Sequence, residues 1–159
     1  MLRLLLTGLP VLVCCLLLQA VFVAKCLRYY ARAIHAKEHR GSQLQDIVVL
    51  SAVMLLTLLG NFIQMAIWAG LFMLLGEFSD FPTALYHSGV NFATLGYGDL
   101  VMSERWRLLG PLEAANGILM FGVSTAVMTA AVMDVIKRNA ARRPPGEPAS
   151  PQGEQGPGA

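Results

Sequence analysis

Six consecutive residues carry the most specific chemistry in the chain: Thr94, Leu95, Gly96, Tyr97, Gly98 and Asp99. Gly96 and Gly98 alternate with bulky side chains, and glycine reaches backbone conformations that a Cβ disfavours. Repeating such conformations at every second residue lets successive carbonyl oxygens point at one axis. A ring of backbone carbonyls can replace the hydration shell of a cation in a narrow pore. The Thr94 hydroxyl can add an oxygen at the inner end, while Leu95 and Tyr97 point away from the axis and brace the ring. The plain alternative is a glycine turn between two helices. The length of the pattern, a short helix before it and a long apolar segment on either side favour the carbonyl ladder.

The elements that must position this stretch are set by composition. Of the 159 residues, 55% are hydrophobic and 14% charged, too apolar for a soluble domain of this size. Residues 2–24, 47–75 and 108–136 each exceed the roughly 20 apolar residues needed to cross a bilayer. Between the second and third, Ser79 or Asp80 can cap a helix with Pro82 in its first turn. Residues 81–93 then make about three turns at 3.6 residues each, too few to span. This suits a re-entrant helix that stops at mid-membrane and points its C-terminal carbonyls at a cation. Irregular backbone at that depth is tolerated only where protein encloses it or where it lines an aqueous path. The expected fold is an all-α membrane protein: three transmembrane helices plus a re-entrant pore helix and filter loop, assembled as a tetramer.

Charge placement orients these spans. Lys25, Arg28, Arg32, Lys37 and Arg40 crowd the first connection, and Lys137, Arg138, Arg142 and Arg143 follow the third span. The segment between spans two and three instead carries Glu77, Asp80, Asp99 and Glu104 against Arg105 and Arg107. The positive-inside rule puts the first connection and the C-terminus in the cytoplasm and the N-terminus outside, in a cell membrane. Arg3 before an apolar run also resembles a signal peptide. Cleavage would leave the basic connection outside, so a retained span is favoured. Domains follow at 1–24 (first span), 25–46 (basic linker), 47–138 (pore module) and 139–159 (a tail too rich in Pro, Gly, Glu and Gln to bury a core). The linker fits either a collar on anionic headgroups or a solvated loop.

Other reactive residue types have quieter readings. Cys14, Cys15 and Cys26 form neither a metal spacing nor a disulfide framework and suit small buried hydrophobes. Asn61 and Gln64 share a helical face and should bond a neighbouring helix. Glu113 should brace the pore helix or pair with Arg105 or Arg107. Asp134 should pair locally with Lys137 or Arg138. His87 titrates near neutral pH, but packing is the preferred role. Phe121, Thr125, Thr129 and Met133 recur every four residues as one stripe, which is either plain packing or, given the filter, a cavity lining.

The run 94–99 resembles the selectivity filter of potassium channels, Thr-Val-Gly-Tyr-Gly-Asp, with Leu95 in place of valine. The stretch from Pro82 to Ser88 resembles the family's pore-helix opening, at the family's distance from the filter. The resemblance covers roughly residues 47–138. It implies a homotetramer that conducts K+ passively, with ions at Thr94, Leu95, Gly96 and Tyr97 and filter support from Asp99 and Tyr86. It further implies a cavity lined by Phe121, Thr125 and Thr129 and a possible gating hinge at Gly117. K+ is then the permeant ion, with no cofactor, no enzymatic activity and no nucleic-acid partner. The departures are His87 in the aromatic pair, Val90 where some members carry a glutamate, Ala93 for threonine, and no proline after Asp99. Span one is extra to the two-helix module and lacks the repeated arginines of a voltage sensor. A weakly selective cation channel and a non-conducting accessory subunit remain alternatives. More remotely, Gly96-Tyr97-Gly98-Asp99 fits the Gly-x-Gly-Asp pattern of intramembrane aspartyl proteases, which need a second membrane aspartate.

Overall fold

A computed structural model describes residues 2–35 and 43–141. Four helices account for its regular structure: α1 (Leu2–His35), α2 (Gln43–Leu74), α3 (Phe81–Phe92) and α4 (Leu109–Ala141). The described residues contain no strand. Three helices are long and apolar enough to cross a membrane, over Arg3–Arg32, Asp46–Leu74 and Leu109–Ala141, with mean hydropathies of 2.4, 2.1 and 1.8. At about 1.5 Å per residue each long helix is roughly 50 Å, well beyond a hydrocarbon core of about 30 Å. Their ends therefore project past the core, or the helices tilt within it.

The long helices run past the expected ends of the spans. α1 continues from the first span through Lys25, Arg28 and Arg32 to His35. Nothing in that basic stretch breaks a helix, and its long side chains are good helix formers. α4 runs three residues into the expected tail, where the Asn139 amide donates to Asp46 Oδ2 of α2 at 3.3 Å. The expected break at Gly41-Ser42 and the remainder of the tail, 142–159, lie outside the described residues.

α1 and α4 run in the same direction, and α2 runs against both. The N-terminal end of α1 meets the start of α4, where a Cβ on Gly8 would fall 2.4 Å from Leu112 Cδ2. Gly60 of α2 leaves similar room for the Phe22 ring of α1. Small residues let membrane helices approach closely, since lipid supplies no hydrophobic drive between them. The main core joins all four helices and the loop after Asp99 through Cys15, Trp68, Phe72, Phe92, Met102, Trp106, Leu109 and Met120. A smaller cluster of Cys26, Val53 and Val127 holds the opposite end.

Asn61 and Gln64 are buried, as is Gln19 of α1. The Gln64 amide donates to Gln19 Oε1 at 2.8 Å, and Asn61 donates to Ser124 Oγ of α4 at 3.3 Å. The expected inter-helix amide bonds are thus made, and they fasten α1 and α4 to α2.

Candidate functional site

α3 is built by its first turn. Asp80 caps it, its carboxylate accepting from the Thr83 N–H at 2.9 Å, with Pro82 next in line. That bond holds the Asp80 carboxyl below its ordinary value of 3.8. The helix ends at Phe92, about 18 Å after it starts at 1.5 Å per residue, so it cannot cross a bilayer.

The backbone beyond it alternates. Thr94, Gly96 and Gly98 have φ of 59°, 60° and 74°, while Leu95 and Tyr97 between them stay at negative φ. The N–H groups show the result. Thr94 N–H donates to Asn91 O at 2.8 Å, Leu95 N–H to Val90 O at 2.8 Å, and Gly96 N–H to the same Val90 O at 3.5 Å. In an ordinary extended strand successive N–H groups point to opposite sides. Here three in a row face α3, so across the planar trans peptide bonds the carbonyls of Ala93, Thr94 and Leu95 point away from it. Val90, standing where some potassium channels carry a glutamate, supports the ladder through its backbone carbonyl. Thr94 joins the two glycines in the left-handed region at a conformational cost of about 1–3 kcal/mol, which its surroundings must hold.

Around the ladder stands a frame of side-chain bonds. Tyr86 Oη donates to Asp99 Oδ2 at 2.7 Å, tying α3 to the far end of the ladder. This bond holds the Asp99 carboxyl below its ordinary range and pushes the Tyr86 phenol up. Ser88 Oγ lies within hydrogen-bond reach of both Met65 O of α2, at 2.8 Å, and Glu113 Oε1 of α4. Glu113 is fully buried, so of its two expected roles it takes the bracing one. Arg107 instead sits 3.9 Å from the exposed Glu104, and Arg105 lies over the Trp106 ring. His87 is packed edge-on to Phe72 and tilted against Phe78, with ring centroids 5.6 and 4.9 Å away. Its Nε2 accepts from the Asn91 amide at 2.9 Å. Burial holds its imidazole below the ordinary 6.5, opposed by a hydrogen bond to the Leu100 backbone and the nearby Asp99 and Glu77 charges.

One clamp has no counterpart in the sequence reading. Glu77, just past α2, accepts from the Ser103 N–H and the Ser103 hydroxyl, both at 2.7 Å. It fixes the loop that follows Asp99. The partners are 26 residues apart, so no local spacing signals them. The acid at the end of an apolar span was the one available hint.

Gly117 is a point of close packing. A Cβ there would lie 1.9 Å from Phe92 O, so its bare Cα receives the last carbonyl of α3, and α4 passes through it as continuous helix. Further along, Phe121, Thr125, Thr129 and Met133 line one groove with Met54, Leu58 and Asn61, of about 600 Å³. Thr125 and Thr129 hydroxyls donate to carbonyls four residues back, at 2.9 Å each. Their hydrogens are thereby used locally, and the hydroxyl oxygens keep lone pairs free. Asp134 pairs with Arg138 at 3.2 Å, as its spacing suggested.

The aspartates are kept apart. Asp46 bonds Asn139, Asp80 caps α3, Asp134 pairs with Arg138 and Asp99 is held by Tyr86. No second aspartate joins Asp99 to share a proton, as a Gly-x-Gly-Asp protease requires.

Three membrane-length helices, a short helix between the second and third, and a carbonyl ladder behind it define a pore module in a multi-pass membrane protein. A family model described as ion channel matches residues 47–134, more than half of the chain, and the protein belongs to that two-helix ion channel family. No curated protein and no solved structure matched the chain.

Proposed function

We propose that four copies of this chain surround one potassium-selective pore that conducts K+ passively. The observation that carries this reading is the set of N–H groups of Thr94, Leu95 and Gly96, all turned onto the Asn91 and Val90 carbonyls. Across the same trans peptide bonds the carbonyls of Ala93, Thr94 and Leu95 face the other way, and a filter of this kind takes one such strand from each of four subunits. K+ sits at the carbonyls of Thr94, Leu95, Gly96 and Tyr97, with the Thr94 hydroxyl closing the innermost site. Phe121, Thr125 and Thr129 face the cavity below. Leu95 and Tyr97 are 53% and 65% exposed in the single chain, surface that neighbouring subunits would cover. The chain lies in the cell membrane with the filter outward. The basic residues in the C-terminal part of α1 and at the end of α4 stay on the cytoplasmic side, against anionic headgroups. K+ is the cargo, and no cofactor takes part.

The test is the reversal potential of the purified protein in a planar bilayer, with potassium on one side and sodium on the other. A reversal close to the potassium equilibrium potential is expected. A value near zero would replace this reading with a weakly selective cation channel, and silence with an accessory subunit. Gly96→Ala should abolish the flux while the protein still inserts. A Cβ at Gly96 meets nothing within 4 Å, so the damage is conformational, about 1–2 kcal/mol in each subunit. Undiminished flux through Gly96→Ala would remove the filter assignment.

A further inference from the structure

Helix α1 is additional to the matched module, which starts at residue 47, yet it packs on α4 as well as α2. The two faces of α4 have different fates. Phe121, Thr125, Thr129 and Met133 open onto the groove, whereas Met120, Val127, Ala131 and Val135 are buried. Val127 packs into the small cluster to which Cys26, Val23 and Tyr30 of α1 belong. Two polar ties cross from α1 to α4. At mid-length, Gln19 Nε2 reaches Ser124 Oγ at 3.5 Å, a long bond within the buried amide cluster. Near the end of α4 the tie is shorter and three-sided.

There the Tyr30 hydroxyl lies 2.9 Å from Asp134 Oδ2 and 3.1 Å from Ala131 O. Its single hydrogen serves one of these acceptors at a time. Its oxygen accepts from Arg138 Nη2 at 2.9 Å, and the guanidinium also stands over the phenol ring, 5.7 Å from its centre. Arg138 and Asp134 pair with each other at 3.2 Å, so the phenol bridges an ion pair already formed on α4. Apolar packing beside this tie is incomplete. A gap of about 70 Å³ lies between the helices, lined by Cys26, Leu27, Tyr30, Val127, Ala130 and Ala131. Voids forfeit dispersion contacts, so at this level the polar tie carries more of the attachment than it would in a filled seam. The gap also leaves α4 room to shift. α2 adds one exposed bond, Asn139 to Asp46.

We propose that α1 is a latch on the inner helix: Tyr30, seated between Asp134 and Arg138, holds the C-terminal half of α4 in place and sets the balance between its conducting and non-conducting positions. The gating half of this statement rests on the pore reading above, whereas the mechanical half does not. Any displacement of α4 that widens or narrows its groove face must carry Asp134 and Arg138 away from Tyr30, because all of these residues ride on one continuous helix. Aligned hydrogen bonds to charged partners are the strong ones, and α1 offers no second such tie among its described residues.

The experiment uses the full chain in bilayers. Tyr30→Phe keeps the ring and removes the hydroxyl, and Asp134→Ala removes the acceptor. Each should change the open-to-closed ratio about fivefold or more, in the same direction, from loss of a charge-assisted bond. The double variant should go little further than either single one. Single-channel conductance and reversal potential should stay at wild-type values. Hydrogen exchange is read in parallel, because it requires no conduction: Tyr30→Phe should speed exchange of residues 127–141 several-fold and leave residues 109–117 unchanged. Unchanged exchange would overturn the latch outright. Faster exchange with a wild-type open-to-closed ratio, or strictly additive effects of the two substitutions, would overturn its control of gating. A wild-type chain that never conducts would count against the pore reading alone, and exchange would still decide whether the tie holds α4.

Discussion

The two ends of this bundle are fastened in different ways. Around the ladder, bonds cross between elements at every level: Tyr86 to Asp99, Ser88 to Met65 and Glu113, and Glu77 to Ser103. Gly117 adds a close backbone approach between α3 and α4. At the other end α4 is held by the Tyr30 tie, one bond to Asp46 and a small cluster bordered by a gap. A strained backbone persists only where its surroundings over-determine it, and the left-handed residues Thr94, Gly96 and Gly98 lie in the crowded end. The difference teaches that rigidity is concentrated around the left-handed backbone of residues 94–98, where the proposed pore would need fixed carbonyls, and is thin at the C-terminal end of α4.

The strongest way to break the comparison is Gly117→Ala. The added methyl has nowhere to go but into the Phe92 carbonyl, and overpacking of this kind costs about 1–3 kcal/mol or more per site. Thermal stability of the purified protein should fall by several degrees and flux should be lost. Near-wild-type melting would show that the α3–α4 approach is slack. Glu113→Ala comes next, leaving Ser88 with one partner and a cavity in a fully buried position. A loss of about 1–2 kcal/mol is expected, and Glu113→Gln should recover much of it in a denaturation series.

Asp99→Asn should be milder. An amide oxygen still accepts from Tyr86, so ion preference should survive while inactivation or open probability changes; single-channel recording with potassium and sodium decides. The smallest effect is a pH dependence centred on His87. Because burial lowers its folded value below 6.5, the neutral ring is the folded form. The stability it gives is complete above 6.5 and drains away as pH falls from there towards the lowered value. Melting curves across that window should slope downwards with acid, and His87→Phe should flatten them. A wild-type curve with no slope would mean that the ring is not held neutral.

Much of the ladder could be read directly because its chemistry is local. Glycines at alternate positions, a capping acid followed by Pro82, and apolar runs of membrane length each leave a signature within a few residues. Thr94 was not legible as a third left-handed residue, since nothing in a threonine signals positive φ. It adopts it because its own N–H is committed to Asn91 O and that of Leu95 to Val90 O. The Glu77 clamp and the Tyr30 tie were hidden for a different reason. Their partners are 26 and 104 residues away, and tertiary packing alone brings them together. At Gly117 the family resemblance implied a possible hinge, and only the position of the Phe92 carbonyl shows that a side chain is excluded there.

That seated carbonyl has a mechanical consequence. Pinned at Gly117, α4 is a lever whose free arm reaches to Ala141, about 36 Å at 1.5 Å per residue. A swing of about 10° around such a fulcrum carries the far tip roughly 6 Å, more than one helical turn of about 5.4 Å. The carbonyls of the ladder, lying beside the fulcrum, would barely be displaced by the same swing. In the proposed channel, one glycine would thus let the far end of the helix travel widely while the backbone beside Phe92 stays nearly still.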